Sequence, residues 1–154
     1  MDMKKGAEFY RRLLVMAVLS FAAMYVLMYA MVNTFANVYG NLNQFYMAAL
    51  MTSPMMLIEL TVMRSMYQKK RWNVLLRVAS ASAIVIAFLF IRQQTAITDK
   101  QFLRSMIPHH AGAILMCERA SLHDPEIKEL CRTIMTGQQN EIARMKAKLD
   151  ALSR

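Results

Sequence analysis

Residues 13–33 read LLVMAVLSFAAMYVLMYAMVN, 21 residues without a single charge. A bilayer core of about 30 Å takes about 20 helical residues to cross, so this run reads as a transmembrane helix. The composition agrees, with 56% of the 154 residues hydrophobic and a mean hydropathy of +0.26. A cleaved signal peptide is the competing reading, but the apolar core is too long for one and no small-x-small site follows it cleanly. Working outward, Leu42–Met63 forms a second run interrupted only by Pro54 and Glu59, and Val74–Ile91 forms a third, with Arg77 one turn inside its start.

The formal charge of +9 would point to nucleic acid if it lay on one soluble face. It does not. Lys4, Lys5, Arg11 and Arg12 precede the first run, and Arg64, Lys69, Lys70, Arg71 and Arg77 surround the gap between the second and third, whereas the stretch from Thr98 on carries nine basic and seven acidic residues, a net of only +2. The loop 34–41 has no charge. By the positive-inside rule the basic segments stay cytoplasmic, so the expectation is a bacterial inner-membrane protein with a cytoplasmic N-terminus and a periplasmic C-terminal domain. The division expected is a basic tail over 1–12, a three-helix membrane region over 13–93 and a periplasmic domain over 94–154. Nucleic-acid binding is excluded by where the charge lies.

Within the spans, Glu59 and Arg77 each lie about one turn from the cytoplasmic ends of antiparallel helices, as an interhelical ion pair or as two groups reaching the headgroups separately. Ala79, Ala83 and Ala87, with Ser80 and Ser82 nearby, offer a face of small residues for close helix packing. Tyr39 and Tyr46 suit the outer interface. The nearby amides Asn37, Asn41, Asn43 and Gln44 are expected to reach the C-terminal domain.

That domain reads as a helical hairpin. Thr98-Asp99-Lys100-Gln101 fits a capping box that starts a helix. The stripe Phe102, Met106, His109, Ala113, Met116, Ala120 marks its inward face. Asp124-Pro125 supplies an N-cap and a first-turn proline for a second helix, whose stripe is Ile127, Cys131, Ile134, Gln138, Ile142, Met145, Leu149. A turn centred near Asp124 places Cys117 near Cys131, His110 near Gln138, Met116 near Met135 and Met106 near Met145. Pro108 removes one helical hydrogen bond beside the histidine pair. Cys117 and Cys131, adjacent in an oxidising compartment, favour a disulfide; thiolate ligands or two separate buried thiols are the alternatives.

Thioether and imidazole donors together suit soft ions, copper(I) or silver(I) above all. Zinc would call for thiolates, imidazoles and carboxylates, and the Glu-x-x-His pattern of di-iron bundles is absent. Taken singly, a methionine on an apolar stripe is ordinary core filler. The histidine pair after Met106 is what turns the stripe toward a ligand site, with Met106, His109 or His110, and Met145 or Met116 as the nearest donors.

The run DKQFLRSMIPHHAGAILM followed by HDPEIKELCRTIMTGQQNEIARMKAKL resembles the bacterial family known as domain of unknown function 305. The resemblance covers about Asp99 to Leu149 and implies a ferritin-like helical domain that binds copper, and in some members silver, through methionine and histidine. It places that role on Met106, His109, His110, Met116, Met135 and Met145; Gln138 and Glu141 are, separately from the resemblance, the candidate supporting groups beside them. Soluble relatives continue into a four-helix domain, whereas this chain carries a hairpin whose apolar face needs cover; dimerisation to a four-helix bundle is the simplest solution.

The expectation is therefore an all-α, membrane-anchored copper(I)- or silver(I)-binding protein for metal tolerance or for delivery to a periplasmic copper-handling partner. No nucleophile with an oriented base appears, so it is read as a binder and not an enzyme. Met24, Met28 and Met31 share one face of the first span and Met47, Met51 and Met55 one face of the second. A copper-conducting transporter is thus one rival class, and a metal-free docking protein is the other.

Overall fold

The computed structural model describes residues 3–154 of the chain, with side chains from Glu8 on. Met1, Asp2 and the side chains of Lys4 and Lys5, part of the basic tail expected over 1–12, lie outside the described residues. The described residues form five α-helices and no strand: α1 Met3–Leu27, α2 Leu42–Val62, α3 Lys70–Gln93, α4 Asp99–Arg119 and α5 Pro125–Ser153. Two short 3-10 turns, Met28–Met31 and Phe35–Asn37, lie between α1 and α2. The chain divides into two compact units. One comprises the chain up to Leu27 together with Asn43–Thr95; the other comprises Met28–Leu42 together with Ala96–Arg154.

The first unit holds α1, α2 and α3. Three helical stretches of the chain, Glu8–Met31, Leu42–Val62 and Lys70–Gln93, are long and apolar enough to cross a membrane. Near the basic residues, Leu13, Leu60 and Tyr67 form a buried core with Phe9, Met16, Met56 and Leu76 packed around it. Glu59 and Arg77 do not pair. Arg77 donates to the Leu60 carbonyl at 2.9 Å, one of the last-turn acceptors of α2 that lack a helical partner. Glu59 instead accepts from the Tyr67 hydroxyl at 3.1 Å. Burial, and after it this hydrogen bond to Glu59, pushes the Tyr67 phenol up to about 12, which keeps it a donor.

At the other end of this unit Tyr46 donates to the Thr95 carbonyl at 3.0 Å, and its ring meets Phe90 edge-on at 5.4 Å. The Asn43 and Gln94 amides exchange bonds of 3.0 and 3.2 Å. Gln94 ends α3 in the left-handed region, at φ 51°. Ser80 and Ala87 are buried and Ala83 half-buried, as the small-residue face requires, while Ala79 is exposed. Met47 and Met51 are 38% and 42% exposed, so they stand on the outside of α2.

The second unit is a hairpin of α4 and α5 with Met28–Leu42 packed against α4. Asp124 caps α5, its carboxylate accepting from the amides of Glu126 at 2.8 Å and Ile127 at 3.0 Å, with Pro125 at the first position. The start of α4 differs from the expected capping box. The Thr98 side chain makes no cap bond, and Gln101 accepts the backbone amide of Leu42 at 3.0 Å. The half-buried first amide of α2, which has no partner within its own helix, outbids a helix terminus whose amides can reach water.

The inward face of α4 is also one residue away from the stripe read in the sequence. Ile107, Ala111 and Ile114 are fully buried with Leu103 packed beside them, while Phe102, His109 and Met116 are exposed. One residue is about 100° of helix rotation. The cause is the third element. Val32 and Tyr39 join the core formed by Ile107, Ala111, Ile114, Ile142 and Leu149. Met31 lies against Gly112, where an added Cβ would meet its carbonyl oxygen at 3.5 Å, an ordinary van der Waals contact. The buried Ala111 presents a small side chain at this contact, and the branched aliphatics on either side gain more by burial than flexible methionines would. Part of the hairpin's apolar face is thus covered by the chain's own Met28–Leu42.

Candidate metal centre

His110 is 9% exposed and engaged at both ring nitrogens. Nδ1 lies 2.8 Å from the carbonyl oxygen of Met106, one turn earlier in α4. A carbonyl can only accept, so Nδ1 carries a proton and Nε2 is the nitrogen left to face a ligand. Nε2 lies 2.7 Å from a carboxylate oxygen of Glu141 in α5.

The pair sits in an open groove of about 710 Å³ between α4 and α5. Met106, His110, Glu141 and Met145 line it, with Phe102 and Leu103 as its apolar wall and Arg144 and Lys148 at its rim. The spacing is helical: Met106 and His110 are one turn apart on α4, Glu141 and Met145 one turn apart on α5. One imidazole nitrogen of fixed tautomer and two thioethers therefore share a partly apolar groove beside one carboxylate. That donor set fits a soft monovalent cation. Among the described residues no group of three or more His, Cys, Asp or Glu side chains comes together, which leaves no donor set of the zinc kind.

The six residues singled out as ligands do not gather at one point. Met106, His110 and Met145 share the groove. His109 is exposed, its ring centroid 5.9 Å from that of His110, and faces away from the hairpin core. Met116 and Met135 each lie six residues from His110 and Glu141 respectively, about 9 Å along the helix axis toward the turn; Met116 is 54% exposed and Met135 half-buried. Cys117 and Cys131 are joined in a disulfide, with Cα atoms 5.4 Å apart. Gln138, set opposite His110 by the sequence register, is one turn short; Glu141 takes that place, and the Gln138 Oε1 is buried without a hydrogen-bond partner. Arg144 and Lys148 were not singled out in the sequence. The spacing Glu141, Arg144, Met145, Lys148 would have marked their face once His110 was paired with Glu141.

Residues 43–149 match the family described as Domain of unknown function (DUF305), and the chain belongs to that family. It is also 36% identical over 144 residues to an uncharacterized protein of Acanthamoeba polyphaga mimivirus, covering 90% of this chain and 91% of that one. No solved structure matches the chain.

Proposed function

We propose that this DUF305-family protein is a membrane-anchored binder of copper(I), and of silver(I) as its chemical analogue, captured on the α4–α5 hairpin by His110 Nε2 and the sulfurs of Met106 and Met145. The observation that carries the reading is the His110 ring itself. Its Nδ1–H is tied to the Met106 carbonyl, which leaves Nε2, beside Glu141, for a ligand in the groove that Met106 and Met145 also line, in the way outer hydrogen bonds orient metal-ligating histidines. A cation at Nε2 lies beside the Glu141 carboxylate, 2.7 Å from that nitrogen, which supplies a counter-charge.

The anchoring part of the proposal rests on the three apolar helices. Only 6%, 22% and 11% of their most apolar windows are buried within the chain, leaving apolar surface far larger than a soluble monomer exposes. With the basic segments on the cytoplasmic side, the hairpin lies on the opposite side, the periplasm of a bacterial inner membrane. A second copy pairing on the exposed flank of the hairpin would complete a ferritin-like four-helix bundle. Release to a copper-handling partner would make the protein a delivery or tolerance factor.

The test is titration of the full-length protein in detergent with silver(I) and copper(I) against a competing chelator, with zinc alongside. His110→Ala and the Met106→Leu/Met145→Leu pair are expected to lower affinity at least tenfold, His109→Ala to leave it unchanged. Binding that survives His110→Ala, or zinc bound more tightly than silver, ends the proposal.

A further inference from the structure

In the first unit a separate cavity of about 330 Å³ opens between α1 and the start of α3, lined by Tyr10, Arg11, Leu14, Lys69, Trp72 and Leu76. Its lining is layered. Arg11 and Lys69 supply two exposed cations, Tyr10 and Trp72 are amphipathic aromatics, and Leu14 and Leu76 lie one turn further along their helices. No acidic side chain lines it, and among the described residues no carboxylate is paired with Arg11 or Lys69.

The walls are held in place. The Tyr10 hydroxyl donates to the Asn73 side chain at 2.7 Å and accepts the Lys69 backbone amide at 3.2 Å, while its ring packs 5.4 Å from Tyr67. Lys69 is also the N-cap of α3 and makes no side-chain cap bond. The first-turn amides of α3 beyond it therefore keep the positive partial charge of a helix start, on the same side as the two cations.

We propose that this cavity is a binding site for an anionic phospholipid. The headgroup phosphate sits between Arg11, Lys69 and the first turn of α3, and an acyl chain runs along Leu14 and Leu76. The proposal rests on the membrane reading given above. A free phosphate would use the cations but leave the apolar half of the cavity unfilled, which is why the lipid is the occupant chosen. Basic pockets between membrane helices recognise anionic headgroups through this combination of charge and apolar contact.

Trp72 is the only tryptophan of the chain and lines the cavity, so its fluorescence reports occupancy directly. The full-length protein is reconstituted in phosphatidylcholine vesicles with rising fractions of brominated phosphatidylglycerol, and in a mirror series where phosphatidylcholine carries the bromine. Each cation contributes about fivefold, so phosphatidylglycerol should be preferred roughly 5- to 25-fold at the quenching site. The double variant Arg11→Gln/Lys69→Gln should bring the ratio near one, and Arg12→Gln, outside this lining, should leave it high. Equal quenching by both lipids in the unmodified protein overturns the lipid site while the membrane reading stands. Quenching by neither overturns the membrane reading and the site with it. Loss of the preference on adding millimolar inorganic phosphate at constant ionic strength would make free phosphate the occupant and overturn the lipid assignment.

Discussion

Reducing the Cys117–Cys131 bridge should loosen the hairpin by an amount that follows from its place in the chain. The cysteines are 14 residues apart and enclose the turn between α4 and α5. Closing a loop of about 15 residues removes about 3 kcal/mol of chain entropy from the opened state. At about 1.4 kcal/mol per factor of ten, the opening constant of the hairpin should rise by roughly a hundredfold. Hydrogen exchange of the full-length protein in detergent, followed by mass spectrometry with and without a dithiol reductant, reads this constant on the α4 and α5 amides. Cys117→Ser/Cys131→Ser should reproduce the reduced pattern and no longer respond to reductant. Exchange in α4 and α5 that quickens by less than about fivefold on reduction would refute the reasoning. It would mean either that the opened hairpin keeps this loop closed by other contacts or that the two helices do not open together.

Ile107→Ala removes a fully buried side chain at the junction of α4, α5 and Met28–Leu42 and should cost about 2–5 kcal/mol, whereas Met116→Ala, half exposed, should stay within about 0.5 kcal/mol; thermal unfolding of the two variants compares them. Gly137→Ala places a Cβ in open space inside α5 and should stabilise the hairpin by about 0.5–1 kcal/mol, visible as a higher denaturation midpoint. Asp124→Ala deletes the two cap bonds of α5 and should cost about 1 kcal/mol, with exchange quickened first at Glu126 and Ile127. Ala96 is held at φ 59°, where its Cβ is strained, so Ala96→Gly should gain up to about 1 kcal/mol in the same unfolding assay.

Local signals carried the helices. Apolar runs of the right length, basic flanks, and an aspartate before a proline each act through neighbours in the chain. Both ends of α2 and the start of α5 accordingly fall within a residue or two of where the pattern put them. The periodic stripe of α5 also held, from Cys131 to Leu149, because one dominant partner sets its buried face. The stripe of α4 did not hold, because that helix meets two partners. A pattern of apolar residues states that a helix has a buried side, and when small and large apolar residues cover most of the circumference it does not state which side. The same rotation moved His109 out to solvent and His110 into the groove. Two adjacent histidines look equivalent in a sequence but point about 100° apart on a helix.

Thus composition and periodicity alone determined that the chain is helical, where its apolar spans run, and that every histidine and both cysteines fall in one hairpin together with four of the sixteen methionines, since each of these depends only on residue type and spacing. Tertiary structure alone decided that Met28–Leu42 packs on α4, that Gln101 serves the Leu42 amide, and that Glu141 faces His110. Those three depend on which surfaces meet across long stretches of chain, and competition for burial between distant segments leaves no periodic trace in the residues that win it.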